Sequence, residues 1–229
     1  MDIIIALGTG SKAQDIELKY ALRGIEKHLS GYGNVVLVGN KPNWIKNIDY
    51  IAAEDIPGKK QYSIFRKIMM GSEGSTQNFA FWNDDHFLLK DLAIEDIKFW
   101  YEKEMDYWKK LAIGQYQKAV INTMELPGVN NYYTDIHFPI IYNRHKFEKL
   151  QDLEWGKKEY VIKSAYTRNE TEGFEFAFDL KLSDPRISKE MILTKIKNRL
   201  FFSTGPHSMT PFMKSVLHDK FPHKSIFEK

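Results

Sequence analysis

The sequence predicts an α/β protein on a mostly parallel central sheet, and three observations carry that prediction. Short apolar runs at residues 3–7 and 35–38 flank an amphipathic stretch, the order of a right-handed strand–helix–strand crossover. The runs are continuously apolar rather than alternating, as expected of strands covered on both faces. The longest, residues 79–89, is interrupted by Asn83, Asp84 and Asp85, and the carboxyl ends of strands are where open α/β sheets collect ligands.

Taken in order, residues 3–7 form the first strand, and Gly8, Thr9, Gly10 and Ser11 follow at once. Such a turn either lets backbone amides approach a phosphate or is a plain tight turn. Its spacing is not the dinucleotide fingerprint, and it lacks the lysine of a phosphate-binding P-loop. Residues 14–29 form a helix with Leu18, Leu22, Ile25 and Leu29 on one face. Arg23 lies within it, either paired on the helix surface or reaching a phosphate. Residues 35–38 are the second strand and 48–52 a short third, and a helix over 63–70 delivers Arg66 and Lys67.

In the central run, ionised aspartates cannot be buried unpaired, so Asp84 and Asp85 need a cation, hydrogen bonds or an open strand end. The stretch is either a strand-to-turn exit or a set of hard oxygen ligands for Mg²⁺ or Mn²⁺ beside a phosphate. His86 is expected on the opposite sheet face, packed rather than ligating. Residues 91–130 are expected to be a helical insertion or lid, rich in aromatics such as Trp100, Tyr101, Tyr107 and Trp108. Beyond it come a helix over 147–153, a polar loop over 168–173 and an alternating edge strand over 174–182. A strand over 200–204 and a helix over 209–218 close the chain, and no linker divides residues 1–229, so one domain is expected.

Composition sets the outer limits. The chain has 229 residues, 43% hydrophobic and 28% charged, ordinary for a globular protein able to bury a core. A formal charge of +3 is too small to indicate nucleic-acid binding, which makes a nucleic-acid acceptor a minor alternative. Zero cysteines exclude disulfides and thiolate metal sites. With no leader-like amino terminus and no apolar stretch near the roughly 20 residues of a membrane span, a cytoplasmic protein is expected.

Several separated segments together resemble one family. Residues 17–27 look like the first helix of the Stealth-type sugar-phosphate transferases, which are similar to nucleotide-sugar glycosyltransferases of the GT-A fold. Lys41, Pro42, Asn43, Trp44 and Ile45 look like the family's proline–tryptophan turn, and residues 79–87 like its Asn-Asp-Asp strand. His137, Phe138 and Pro139 resemble its histidine–proline segment, and residues 221–228 its closing segment. Two positions depart from the pattern. Thr9 stands where the family has an aspartate, and residues 202–205 offer no carboxylate where it has a second acidic segment.

The resemblance implies a GT-A-like, Rossmann-like fold with a carboxy-terminal extension. It also implies a metal-dependent transferase using Mn²⁺ or Mg²⁺ on Asp84 and Asp85. The donor would be a nucleotide sugar, UDP-linked, and the acceptor a glycan or other hydroxyl compound. Asp85, His137 and Arg168 are the expected catalytic groups, with His137 as general base or phosphate contact. Gly8, Thr9, Gly10, Ser11, Arg23, Arg66, Asn83 and Lys163 are expected at the donor. Arg66, Lys163 or Arg168 could add a second clamp on the diphosphate, although Lys163 and Arg168 also read as solvated surface residues. The missing acids favour glycosyl transfer over sugar 1-phosphate transfer, and a non-catalytic glycan- or nucleotide-binding protein is the further alternative.

Overall fold

The computed structural model describes residues 1–229. β1 (Asp2–Leu7) leads through α1 (Ile16–His28) and the two-residue β2 (Leu29–Ser30) into β3 (Val35–Gly39) and β4 (Asp49–Ala52). α2 (Lys60–Ser72) then returns the chain to β5 (Asn78–Trp82). The second half begins with β6 (His86–Leu88), β7 (Leu92–Ala93) and β8 (Phe99–Tyr101), followed by the helical pair α3 (Met105–Leu111) and α4 (Gly114–Met124). β9 (Ile140–Asn143), α5 (Arg144–Glu148), α6 (Ile162–Thr167), β10 (Phe174–Phe176), β11 (Lys181–Leu182), α7 (Lys189–Ile196), β12 (Phe201–Thr204) and α8 (Pro211–Lys220) complete it.

The central sheet has the order β4-β3-β1-β5-β9. Its first four strands are parallel and β9 is antiparallel to β5, so the expected mostly parallel sheet is present. Both faces are covered, which explains the unbroken apolar runs. Ile3 and Ile5 pack with Leu18, Leu22 and Ile25 of α1, while Ile4 packs with Phe65 and Ile68 of α2 on the other face. β11, β12 and β6 form a smaller sheet beyond the end of β5, and β8 pairs with β10. No helix is long and apolar enough to cross a membrane.

Gly39 ends β3 with φ +127°, and a Cβ there would lie 1.9 Å from the Leu7 carbonyl oxygen. Only glycine fits this close approach of two paired parallel strands at their carboxyl ends.

Several expected elements differ in outline. The run 79–89 is two strands that belong to different sheets, with Asn83, Asp84 and Asp85 as the turn between them. Polar turn chemistry therefore overrides the continuous apolar pattern. The insertion over 91–130 is mixed rather than helical: residues 92–101 contain β7, a 3₁₀ turn and β8 before α3 begins. Phe99, Trp100 and Tyr101 belong to strand pairing, aligned with Phe174, Glu175 and Phe176, whereas Tyr107 and Trp108 lie on α3. The edge strand expected over 174–182 divides into β10 and β11, which pair with different partners.

Candidate active site

Because β1, β3, β4 and β5 run parallel, their carboxyl ends share one edge of the sheet. Three exits gather there: the Gly8–Ser11 turn after β1, the loop leading from β4 into α2, and the Asn83–Asp85 turn after β5. Facing them are the 133–137 segment, the start of β11, the end of β12, and Trp108, Gln115 and Tyr116 of the α3–α4 pair. Together they enclose a cleft of about 840 Å³. That volume is in the range of sites for drug-sized ligands and cofactors.

The floor is acidic. Asp84 and Asp85 are half-buried, and the Asp84 carboxyl is pushed up to about 8. Loss of hydration is the main cause, followed by the charges of Asp85, Glu17 and Asp15. Glu17, from the first turn of α1, is 6% exposed. Asp85 Oδ1 lies 3.9 Å from His86 Nε2, but this is not an ion pair. Burial first, and then Lys163, His137 and Lys181, hold the His86 imidazole well below its ordinary value, so it is neutral. His86 also does not turn to the far side of the sheet. Its ring packs edge-on against His137 with centroids 6.1 Å apart, because β6 has left the central sheet.

This floor suits a divalent cation. The two adjacent carboxyl groups are hard oxygen donors, and a cation would relieve the repulsion that helps keep Asp84 protonated. No cluster of three or more His, Cys, Asp or Glu side chains could encage a metal. The protein would therefore contribute Asp84 and Asp85, and the remaining positions would fall to substrate oxygens and water, the usual way Mg²⁺ is held.

The Gly8–Ser11 turn is shaped by a neighbour that sequence reading passed over. Asp55, after β4, accepts hydrogen bonds from the Thr9 amide at 3.1 Å and the Thr9 hydroxyl at 3.3 Å, and pairs with Lys67 Nζ at 2.5 Å. Burial raises the Asp55 carboxyl, but Lys67 and Thr9 outweigh it and hold it below the usual carboxylate range. Lys67 Nζ also donates to the Leu7 carbonyl at 2.7 Å, tying α2 to the end of β1. A carboxylate thus stands beside Thr9 after all, supplied by the loop after β4. Ser11 lines the cleft, but its hydroxyl accepts from the Ala13 and Asp15 amides and donates to Glu17. Gly8, Gly10 and Asn83 also line the cleft.

On the opposite wall, His137 Nδ1 bonds to Asp179 Oδ2 at 2.7 Å, and the His137 amide donates to Asp179 Oδ1 at 3.2 Å. Lys181 Nζ donates to His137 Nε2 at 2.9 Å. With Nε2 accepting, Nδ1 carries the proton, and the three residues form a relay ending in an ammonium group at the cleft. Beside it, Asp135 accepts from the Tyr116 hydroxyl at 2.9 Å. Burial raises its carboxyl, offset in part by Lys163, Tyr116 and His137.

The remaining expected residues divide sharply. Lys163 lines the cleft but is not solvated: it is 2% exposed, and its ammonium donates to the Ile136 and Phe138 carbonyls at 2.7 Å each. It pins the backbone on either side of His137. Arg23, Arg66 and Arg168 do not line the cleft. Arg23 makes a fork with Glu228, at 2.6 and 2.7 Å, and donates to the Phe221 carbonyl. Arg66 is exposed on α2, one position from the inward-facing Lys67. Arg168 is largely buried and donates to the carbonyls of Asn130 and Leu126, a structural task.

Asp55, Asp135, Asp179 and Lys181 were passed over because their partners are distant in the chain. One signal was present: Asp179 and Lys181 are two apart in a predicted strand, which puts them on one face.

No protein-family model matches the sequence, and no curated protein sequence matches it. Solved structures do. One similar structure is the galactosyltransferase LgtC in complex with donor and acceptor sugar analogs, at 10% identity and a TM-score of 0.51. Another is an active-site mutant of LgtC, at 12% identity and a TM-score of 0.52. In both cases the alignment covers 99% of this chain and 98% of that one. The chain has the GT-A glycosyltransferase fold over its whole length. The Stealth resemblance finds no support from family models.

Proposed function

We propose that this chain is a metal-dependent glycosyltransferase that moves a sugar from a nucleotide diphosphate sugar, UDP-linked, to a hydroxyl acceptor. The observation that carries the proposal is the pair of uncompensated carboxylates, Asp84 and Asp85, on the floor of a cleft whose facing wall presents a fixed ammonium. A divalent ion held there would act as a Lewis acid on the diphosphate.

The residues of the chain divide the remaining work. Asp84 and Asp85 set the position of the diphosphate at the carboxyl edge of the sheet. Lys181 faces the leaving phosphate oxygens and stabilises their charge as the bond between the anomeric carbon and the phosphate oxygen breaks. His137 and Asp179 position that ammonium, which replaces the expected role of His137 as base. The acceptor oxygen bonds to the anomeric carbon, and its proton passes to Asp135, the carboxylate on the wall with Trp108 and Tyr116. Burial, which raises the Asp135 carboxyl, makes it a stronger base than an exposed aspartate. The nucleoside diphosphate leaves. A second reading, transfer of sugar 1-phosphate with release of a nucleoside monophosphate, gains support from Asp55, which brings to Thr9 the acid the sequence lacks there.

The test is the nucleotide released from UDP-sugars in the presence of Mn²⁺. UDP is expected, and UMP selects the second reading. Lys181→Ala should lower turnover about 100-fold while leaving the donor-induced thermal shift in place. The double variant Asp84→Ala, Asp85→Ala should abolish metal-dependent donor binding. Undiminished metal-dependent binding by the double variant overturns the proposal.

A further inference from the structure

The amino end of α2 opens into the same cleft, and nothing in the reaction above uses it. α2 spans thirteen residues and has no side-chain cap at Lys59 and no acidic residue in its first turn. Of its leading amides, that of Tyr62 donates to the Glu159 carboxylate at 3.1 Å, while those of Lys60 and Gln61 donate to no group in the protein. Uncapped amides at the end of a three-turn helix carry a partial positive charge.

The side chains there add to that polarity. Lys60 is exposed, lines the cleft and forms no ion pair, whereas the neighbouring Lys59 ammonium is spent on the Gly156 carbonyl. Gln61 is the independent sign of a ligand. It is 9% exposed and lines the cleft, yet its amide group makes no hydrogen bond with the protein. Nine-tenths buried as a residue and unbonded to the protein, it leaves its amide facing the cleft, where a ligand can supply the bond. Pro57 and Gly58 line the approach, and Gly58, with φ +72°, has open space where a Cβ would be.

We propose that the amino end of α2 is an anion subsite that takes the acidic group, a phosphate or a carboxylate, of a saccharide acceptor. Its donors are the Lys60 and Gln61 amides, the Gln61 side chain and the Lys60 ammonium. This rests on the transferase reading above and names its acceptor class. The charge of Lys60 is felt at the buried carboxyl of Asp135, so the subsite borders the acceptor wall. For the subsite to take an acceptor, a diphosphate held by Asp84 and Asp85 must leave it free.

The experiment is a ¹H–¹⁵N NMR titration with inorganic phosphate, on the free protein and again with UDP and Mg²⁺ saturating. Glucose 6-phosphate, glucuronate and neutral glucose follow as probes. The Lys60 and Gln61 amide resonances should shift saturably at millimolar phosphate in both states. The two acidic sugars should reproduce the shift and glucose should not. Gln61→Glu, which places a carboxylate in the subsite, should weaken phosphate about tenfold, and Lys60→Gln about threefold. UDP affinity should stay within about twofold in both variants, which also shows that they are folded. Competition between phosphate and UDP, absence of shifts at residues 60 and 61, or unaltered phosphate binding by both variants overturns the proposal. If UDP does not bind at all, the transferase reading fails, while the titration of the free protein still decides whether the anion subsite exists.

Discussion

Asp84 shows how one side chain can couple stability, pH and ligand binding. Its carboxyl is at about 8 in the fold against an ordinary 3.8, so between those values the native state keeps a proton that the unfolded chain has released. Stability of the metal-free protein therefore falls as pH rises through that window. Asp84→Asn removes the penalty. It should stabilise the metal-free protein at pH 8 on the order of 1–2 kcal/mol, several degrees in Tm, with little change near pH 4. The same variant should lose the Mn²⁺-induced rise in Tm. A pH slope unchanged from the parent would show that Asp84 is not the group responsible. His86, its near neighbour, illustrates the opposite outcome: burial keeps it neutral and leaves both ring nitrogens without partners.

At the scale of elements, α1 is anchored along one face by the closing residues of the chain. Glu228 accepts the Arg23 fork and the Ser225 amide at 3.0 Å, while Lys19 lies at 3.9 Å. The closing residues thereby clasp the helix that carries Glu17 to the cleft floor. Burial raises the Glu228 carboxyl, but Arg23 and the Ser225 amide more than offset this and leave it below its ordinary 4.5. The clasp contributes fully above pH 4.5 and is lost as pH falls through the lower folded value. Glu228→Gln should cost about 2 kcal/mol at neutral pH, and the difference from the parent should shrink toward about pH 3. Urea titrations across that range check it, and a difference independent of pH would argue against an ionic clasp.

At the scale of the whole molecule, the cleft lies between two sheets that meet at the Asn83–Asp85 turn. Ligand seated there bridges the carboxyl edge of β1, β4 and β5 to the wall carrying His137, Lys181 and Asp135. A nucleotide that binds only the folded protein should stabilise it by about 2.7 kcal/mol at a hundred times its Kd. UDP with Mn²⁺ is expected to raise Tm accordingly, and a chelator to reverse most of the rise. An equal shift with the chelator present would remove the metal from the proposed donor site. The GT-A architecture shared with LgtC concerns this arrangement of layers, which persists at 10% and 12% identity because a two-face-covered sheet needs apolar volume more than particular residues.

By itself the sequence determined the strand–helix–strand core, since short unbroken β-branched runs such as Ile3–Ile4–Ile5 flank Leu18, Leu22 and Ile25 at helical spacing. It also marked the Asn83–Asp85 turn, because buried carboxylates interrupting an apolar run need an explanation wherever they lie. The tertiary structure alone decided which charges share a space. It turned Arg23 and Arg168 into structural ties and brought Asp55 to Thr9 across 46 positions and Asp179 to His137 across 42. Local pattern reports which face of an element is apolar. The partner of a charged group is set by which elements pack together, and that information lies in no single stretch of the chain.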